Sequence, residues 1–256
     1  NRGYQQVRAY ADTRQAFGET IVNYPLVQEN LANIKANITV CLAGTFALIA
    51  LQDKIELEQE IRSEYKTFAR LMANIGKSII SRRGVDDLHH CIDTMAGNGA
   101  IETTSSLPRL FRDTVIQENW EGTHNTLYSQ VLRDFSRFEH DEVYIKVIEN
   151  ILQEFTDNFA ADLVLAKEAL TRLKVDLDDL RAASAPLKTL KIKNILEKMA
   201  DIFFGKFSEL VSNQSNVLKT ETVSDVRVPR EKKSINKILI YSSLIIIIAI
   251  IIYSIS

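Results

Sequence analysis

Gly97-Asn98-Gly99, Leu107-Pro108-Arg109-Leu110-Phe111-Arg112-Asp113 and Trp120-Glu121-Gly122-Thr123 follow one another between residues 97 and 123. Glycine tolerates positive φ and lets a backbone approach a neighbour without a Cβ in the way. Read alone, Gly97-Asn98-Gly99 is a helix stop, and Glu121 is a first-turn carboxylate capping the periodic run behind it.

Outward from this stretch the chain reads as helix almost throughout. Its 256 residues hold only 9 Gly and 4 Pro, between long runs of Leu, Ala, Ile, Glu and Lys that favour helix, and no strand-turn-strand pattern stands out. A first helix is expected from about Gly3 to Val22, ending before Pro25 because the residue ahead of a proline leaves helical space. A second, about Leu26 to Gln52, is apolar around much of its circumference through Ile38, Val40, Cys41, Leu42, Phe46, Leu48 and Ile49, which predicts burial in a bundle. A third covers roughly Glu56 to Arg82 and ends at Arg82-Arg83-Gly84. A fourth starts at Asp86 or Asp87 and stops at Gly97.

Composition narrows the function classes. A hydrophobic content of 46% and a net charge of -2 allow one or two domains with a sizeable core and exclude bulk nucleic-acid affinity. Cys41 and Cys91 fit a reducing compartment or plain core packing. Neither they nor His89 and His90 have partners at metal-ligand spacing, so no metal site is expected. The chain starts at Asn1 without Met, within a helical run, and reads as a processed product or a piece of a longer polypeptide.

The order and spacing of the opening motifs resemble the active-site end of the acyl-CoA dehydrogenase family, over residues 1 to about 138. The resemblance implies an all-α fold, a four-helix-bundle C-terminal domain, and FAD as cofactor. It makes Glu121 the catalytic base that takes the α-proton of an acyl-CoA thioester while the flavin accepts the β-hydride, with Trp120 and Gly122 at the substrate pocket. That α-proton is too weakly acidic for a solvated carboxylate, so such a site must acidify it by stabilising enolate-like charge and must keep the base dry. If Glu121 opens a helix, the helix dipole favours its ionised form, and burial must outweigh the dipole.

Further residues take roles through the same resemblance. Arg14-Gln15-Ala16-Phe17-Gly18 matches an Arg-x-x-Phe-Gly sequence whose Arg reaches the FAD pyrophosphate of a neighbouring subunit, a task suited to a planar guanidinium. Read alone, Arg14 is a solvated or ion-paired helical residue. Phe17, Gly97, Asn98, Gly99, Thr123 and Asn125 fall at the family's flavin contacts. Ala16, Asp93 and Ala96 depart from the pattern, standing where members often have a hydroxyl residue, Gln and Gly. FAD sites shared between subunits imply a homo-oligomer, and an electron-transfer flavoprotein is an implied acceptor. The wording of the motifs is especially similar to the AidB-like branch, flavoproteins linked to the alkylation-damage response. Without the family's N-terminal and middle domains, residues 1 to 256 are expected to bind FAD poorly and to be inactive alone.

Past Phe138 the pattern changes. Val143, Val147, Ile148, Ile151, Leu152 and Phe155 mark one amphipathic helix. Leu163, Ala166, Leu170, Leu173, Leu177 and Leu180 form a short heptad seam, suited either to packing within the bundle or its dimer mate, or to a partner helix. A further helix runs from about Leu187 to Val211, its lysines balanced by acidic residues. The expected domains are therefore 1–138, the dehydrogenase C-terminal helical domain; 139–211, a helical extension; 212–237, a flexible basic linker; and 238–255, a transmembrane tail anchor. The anchor reading rests on the apolar run Ile238 to Ile255 behind Arg230, Lys232, Lys233 and Lys237, with the body on the cytoplasmic side. A second functional reading, a non-catalytic tail-anchored helical interaction protein, uses the seam and the basic juxtamembrane segment but leaves the motifs between residues 14 and 133 as coincidence.

Overall fold

The computed structural model describes residues 1–57, 63–153 and 160–206. Nearly all of them are helical: α1 Arg2–Thr13, α2 Pro25–Leu57, α3 Ser63–Met95, the single turn α4 Gly97–Ala100, α5 Leu107–Asn119, α6 His124–Phe138, α7 His140–Gln153, α8 Ala160–Ala182 and α9 Ala185–Ala200, followed by a π-helical turn, Asp201–Lys206. The expected linker and apolar tail lie outside the described residues. The helices form two compact units, one from Asn1–Cys41 with Lys77–Leu127, the other from residues 42–76 with the described residues after Leu127. This division interleaves along the chain.

Three local expectations are corrected. The first helix stops at Thr13, and a two-stranded hairpin follows, β1 Gln15–Ala16 paired antiparallel with β2 Glu19–Thr20. Its two-residue turn places Phe17 at φ 52° and Gly18 at φ 90°, the doubly left-handed geometry that matches the twist of paired strands. The Tyr24 hydroxyl braces the turn by donating to the Ala16 carbonyl at 2.8 Å. The third and fourth helices are one, because α3 continues through Gly84. An interior glycine costs a helix about 1 kcal/mol against alanine; here a Cβ would come within 3.2 Å of Thr114 Cγ2, so α5 packs where a larger residue would intrude. Finally, α2 buries its small residues, Ala43, Gly44 and Ala47, together with Leu51, while Leu42, Phe46 and Ile49 are exposed. Close approach of neighbouring elements selects the small face there, so the burial expected for Leu42, Phe46 and Ile49 is not seen.

In the first unit, Val7 and Ala11 of α1, Leu31 and Ile34 of α2, Cys91 and Met95 of α3, and Leu107 of α5 make one buried cluster. Burial in that cluster pushes the Cys91 thiol up to about 12, so it is an inert packing group. In the second unit the heptad seam turns inward: Ala166, Leu170, Leu173, Leu177 and Leu180 are buried. Phe68 of α3 stacks on Tyr144 of α7 at 5.7 Å and meets Phe203 edge-on at 5.5 Å. Tyr144, fully buried, donates its hydroxyl to the Met199 carbonyl at 2.7 Å, and the Phe204 ring sits against Gly44.

Candidate active site

The Glu121 turn is built by the end of α5. That helix closes at Trp120, whose N–H returns to the Ile116 carbonyl at 3.2 Å and whose backbone is extended. Glu121 then adopts φ 56° and Gly122 φ 115°, and α6 begins at His124. Glu121 therefore precedes the helix instead of opening it, which corrects the sequence expectation. Gly122 is required by its backbone angle and not by space, since a Cβ there would have only ordinary contacts with Thr126 and Leu127. A left-handed angle at Glu121 is unfavourable for an L residue by about 1–2 kcal/mol, so neighbouring groups must hold it.

They come from α3. Lys77 Nζ donates to the Glu118 carbonyl at 2.9 Å and to the Gly122 carbonyl at 2.6 Å. Burial pulls the Lys77 ammonium below the usual lysine range, and the charges of Glu121 and then Glu118 partly offset this. His124 Nε2 lies 3.0 Å from the Ser78 carbonyl, to which it donates, and Nδ1 lies 3.3 Å from Arg82 Nη2, from which it accepts. Burial first, then the Arg82 charge, lowers the imidazole's pKa, with Glu118 opposing. Arg82 Nε also reaches Glu118 Oε1 at 3.2 Å. None of Lys77, Ser78, Arg82 and His124 was read from the sequence as part of the site; they lie up to 46 residues from their partners, with no local pattern to join them.

The remaining predicted residues fall at different places. Trp120 is 65% exposed and Glu121 is exposed, so among the described residues nothing keeps this carboxylate dry. Thr123 pairs its hydroxyl with that of Thr126 at 3.2 Å, and Asn125 is exposed. At the other turn, Arg14 is exposed and Phe17 fully so. Gly97 is exposed, whereas the Asn98 amide donates to the Tyr10 hydroxyl at 3.1 Å. Gly99 is fixed by close packing: a Cβ would lie 2.5 Å from the Ile92 carbonyl oxygen. No hydrogen bond or ion pair among the described residues joins residues 14–18 to Glu121. Arg112 pairs with Glu102 and not with its neighbour Asp113. Among the described residues no His, Cys, Asp and Glu side chains gather into a metal site.

The acyl-CoA dehydrogenase, C-terminal domain family matches residues 1–135, which carry the hairpin, the Gly97-Asn98-Gly99 turn and the Glu121 turn. The chain belongs to the acyl-CoA dehydrogenase family. Among its relatives, AidB of Escherichia coli (strain K12) is 28% identical over 134 residues, covering 52% of this chain and 23% of AidB. Acyl-CoA dehydrogenase family member 11 of Caenorhabditis elegans is 28% identical over 186 residues, covering 73% of this chain and 28% of the relative. The chain thus spans about a quarter of the length of these relatives. A solved structure, Caenorhabditis elegans ACDH-11 in complex with C11-CoA, superposes with a TM-score of 0.71 at 26% identity, covering 84% of this chain and 36% of that one. Since 84% exceeds the reach of the family match, that similarity extends into the α7–α9 region.

Proposed function

We propose that this chain supplies the base-bearing helical part of an FAD-dependent acyl-CoA dehydrogenase, with Glu121 taking the α-proton of an acyl-CoA thioester. The observation that carries the reading is the Trp120-Glu121-Gly122 turn, in which a non-glycine residue is held at φ 56° with its side chain exposed. Strained backbone of this kind gathers at functional sites. A carboxylate on a fixed turn can accept a proton from a thioester laid across it, and the acyl chain and the flavin would then exclude water from it. Similarity to a protein solved with C11-CoA supports an acyl-CoA as the substrate class.

The residues present suit the cofactor. Phe17 is a fully exposed aromatic at a hairpin tip, and Arg14 is an exposed guanidinium outside every ion pair of the described residues; together they offer a ring face and a phosphate fork. With Gly97, Asn98, Gly99, Thr123 and Asn125 they would hold FAD, which when bound supplies the hydride acceptor. Through the family resemblance, sharing of each flavin between copies of the chain in a homo-oligomer is part of this reading. Reoxidation by an electron-transfer flavoprotein belongs to the same proposal.

The test is Glu121→Gln, which keeps the side chain's size and removes the base. In the full-length, flavin-loaded protein an acyl-CoA should bleach the flavin absorbance of the wild type and leave that of the variant unchanged, with FAD content equal in both. Bleaching of the variant at the wild-type rate overturns the assignment.

A further inference from the structure

The last carbonyls of α5 have no partner within the helix, and a cation there is favoured by the helix dipole. Lys77 uses this position for more than capping. Its ammonium carries three donors, and two of them engage the carbonyls of Glu118 and Gly122, at 2.9 and 2.6 Å. Those two carbonyls bracket Glu121 in the chain. The next residue of α3, Ser78, accepts from His124 at 3.0 Å. Two consecutive α3 residues therefore grip both flanks of a turn whose central residue sits in a conformation that persists only where the surroundings over-determine it.

We propose that Lys77 is the positioning residue for Glu121, fixing the turn so that the carboxylate meets the substrate α-carbon without reorganisation. The proposal rests on the acyl-CoA dehydrogenase reading above. Lys77 acts through the backbone, so its loss should affect the chemical step more than substrate binding; a displacement near 1 Å costs about 100-fold in rate.

Lys77→Met keeps the alkyl stem and removes the donors. In the full-length flavin-loaded protein, the limiting rate of bleaching by an acyl-CoA should fall about 100-fold, while the half-saturating acyl-CoA concentration and the FAD content stay near wild type. In the 256-residue chain, amide hydrogen exchange should quicken in residues 118–124 and stay unchanged in α1. A limiting rate equal to wild type overturns the proposal, as does a loss of protection spread through α1 and α5, which would make Lys77 a residue of general stability. The two readings fail separately. If the wild type is not bleached, or Glu121→Gln is bleached normally, the dehydrogenase reading falls, while exchange in residues 118–124 still decides whether Lys77 holds the turn.

Discussion

Replacing Ala96 by glycine should stabilise the protein, although most substitutions do the reverse. Ala96 sits between α3 and α4 at φ 51° and ψ -136°, a region that L side chains rarely adopt and that costs about 1–3 kcal/mol. The chain cannot relax out of it locally, because the Ala96 N–H donates to the Asp93 carbonyl at 2.9 Å and the Gly99 N–H donates to the Ala96 carbonyl at 2.9 Å. The methyl group is exposed, so its removal forfeits little burial. Against the relieved strain stands the larger unfolded-state entropy of glycine, about 0.5–1 kcal/mol. The balance is a gain of about 1 kcal/mol, or a melting temperature about 2–4 °C higher for a chain of this size. Trp120 is the only tryptophan in the sequence and lies in the same unit, so urea unfolding followed by its fluorescence reports on the right region. An unchanged or lower midpoint in the glycine variant would refute the strain attributed to Ala96.

Two further outcomes follow from the packing and the electrostatics. Gly44→Ala should destabilise the second unit by about 1–3 kcal/mol, read as a lower urea midpoint by circular dichroism, because the new Cβ would overlap the Phe204 ring, whose Cε1 lies 2.6 Å away. Stability should also decline as pH falls below 6.5: the imidazoles of His124 and His140 are lowered from that value by burial, so the unfolded chain takes up protons first and the folded state loses its advantage as pH drops toward the lower folded values. His124→Gln should flatten part of that slope in urea midpoints measured from pH 7 to 5; an identical slope contradicts the role given to His124.

The helical character was legible because helix signals are local. Runs of helix-forming residues with few Gly and Pro mark α1, α2, most of α3 and α7 to α9, but neither α4 nor α5, and the spacing of Leu163 to Leu180 shows a helix seam, although only the structure reveals that it closes within its own unit. Where distant packing decides, the sequence was silent. Gly84 reads as a helix stop, yet α3 runs through it beside Thr114. The hairpin at Gln15–Thr20 depends on a phenylalanine taking a left-handed angle, which propensity disfavours. The site divides in the same way. Glu121, Gly122 and their neighbours are legible as candidates through an ordered motif, whereas Lys77 and His124 are not, because they act through contacts made 41 to 46 residues away.

The central claim is that a carboxylate on this turn removes the thioester's α-proton. Its most direct measurement is the rate of flavin bleaching in the full-length protein by an acyl-CoA carrying deuterium at C2, compared with the unlabelled compound. The account predicts that C2 deuteration slows bleaching several-fold in the wild type and that Glu121→Gln shows no bleaching with either compound. Bleaching that is indifferent to the C2 isotope and survives in Glu121→Gln would contradict it.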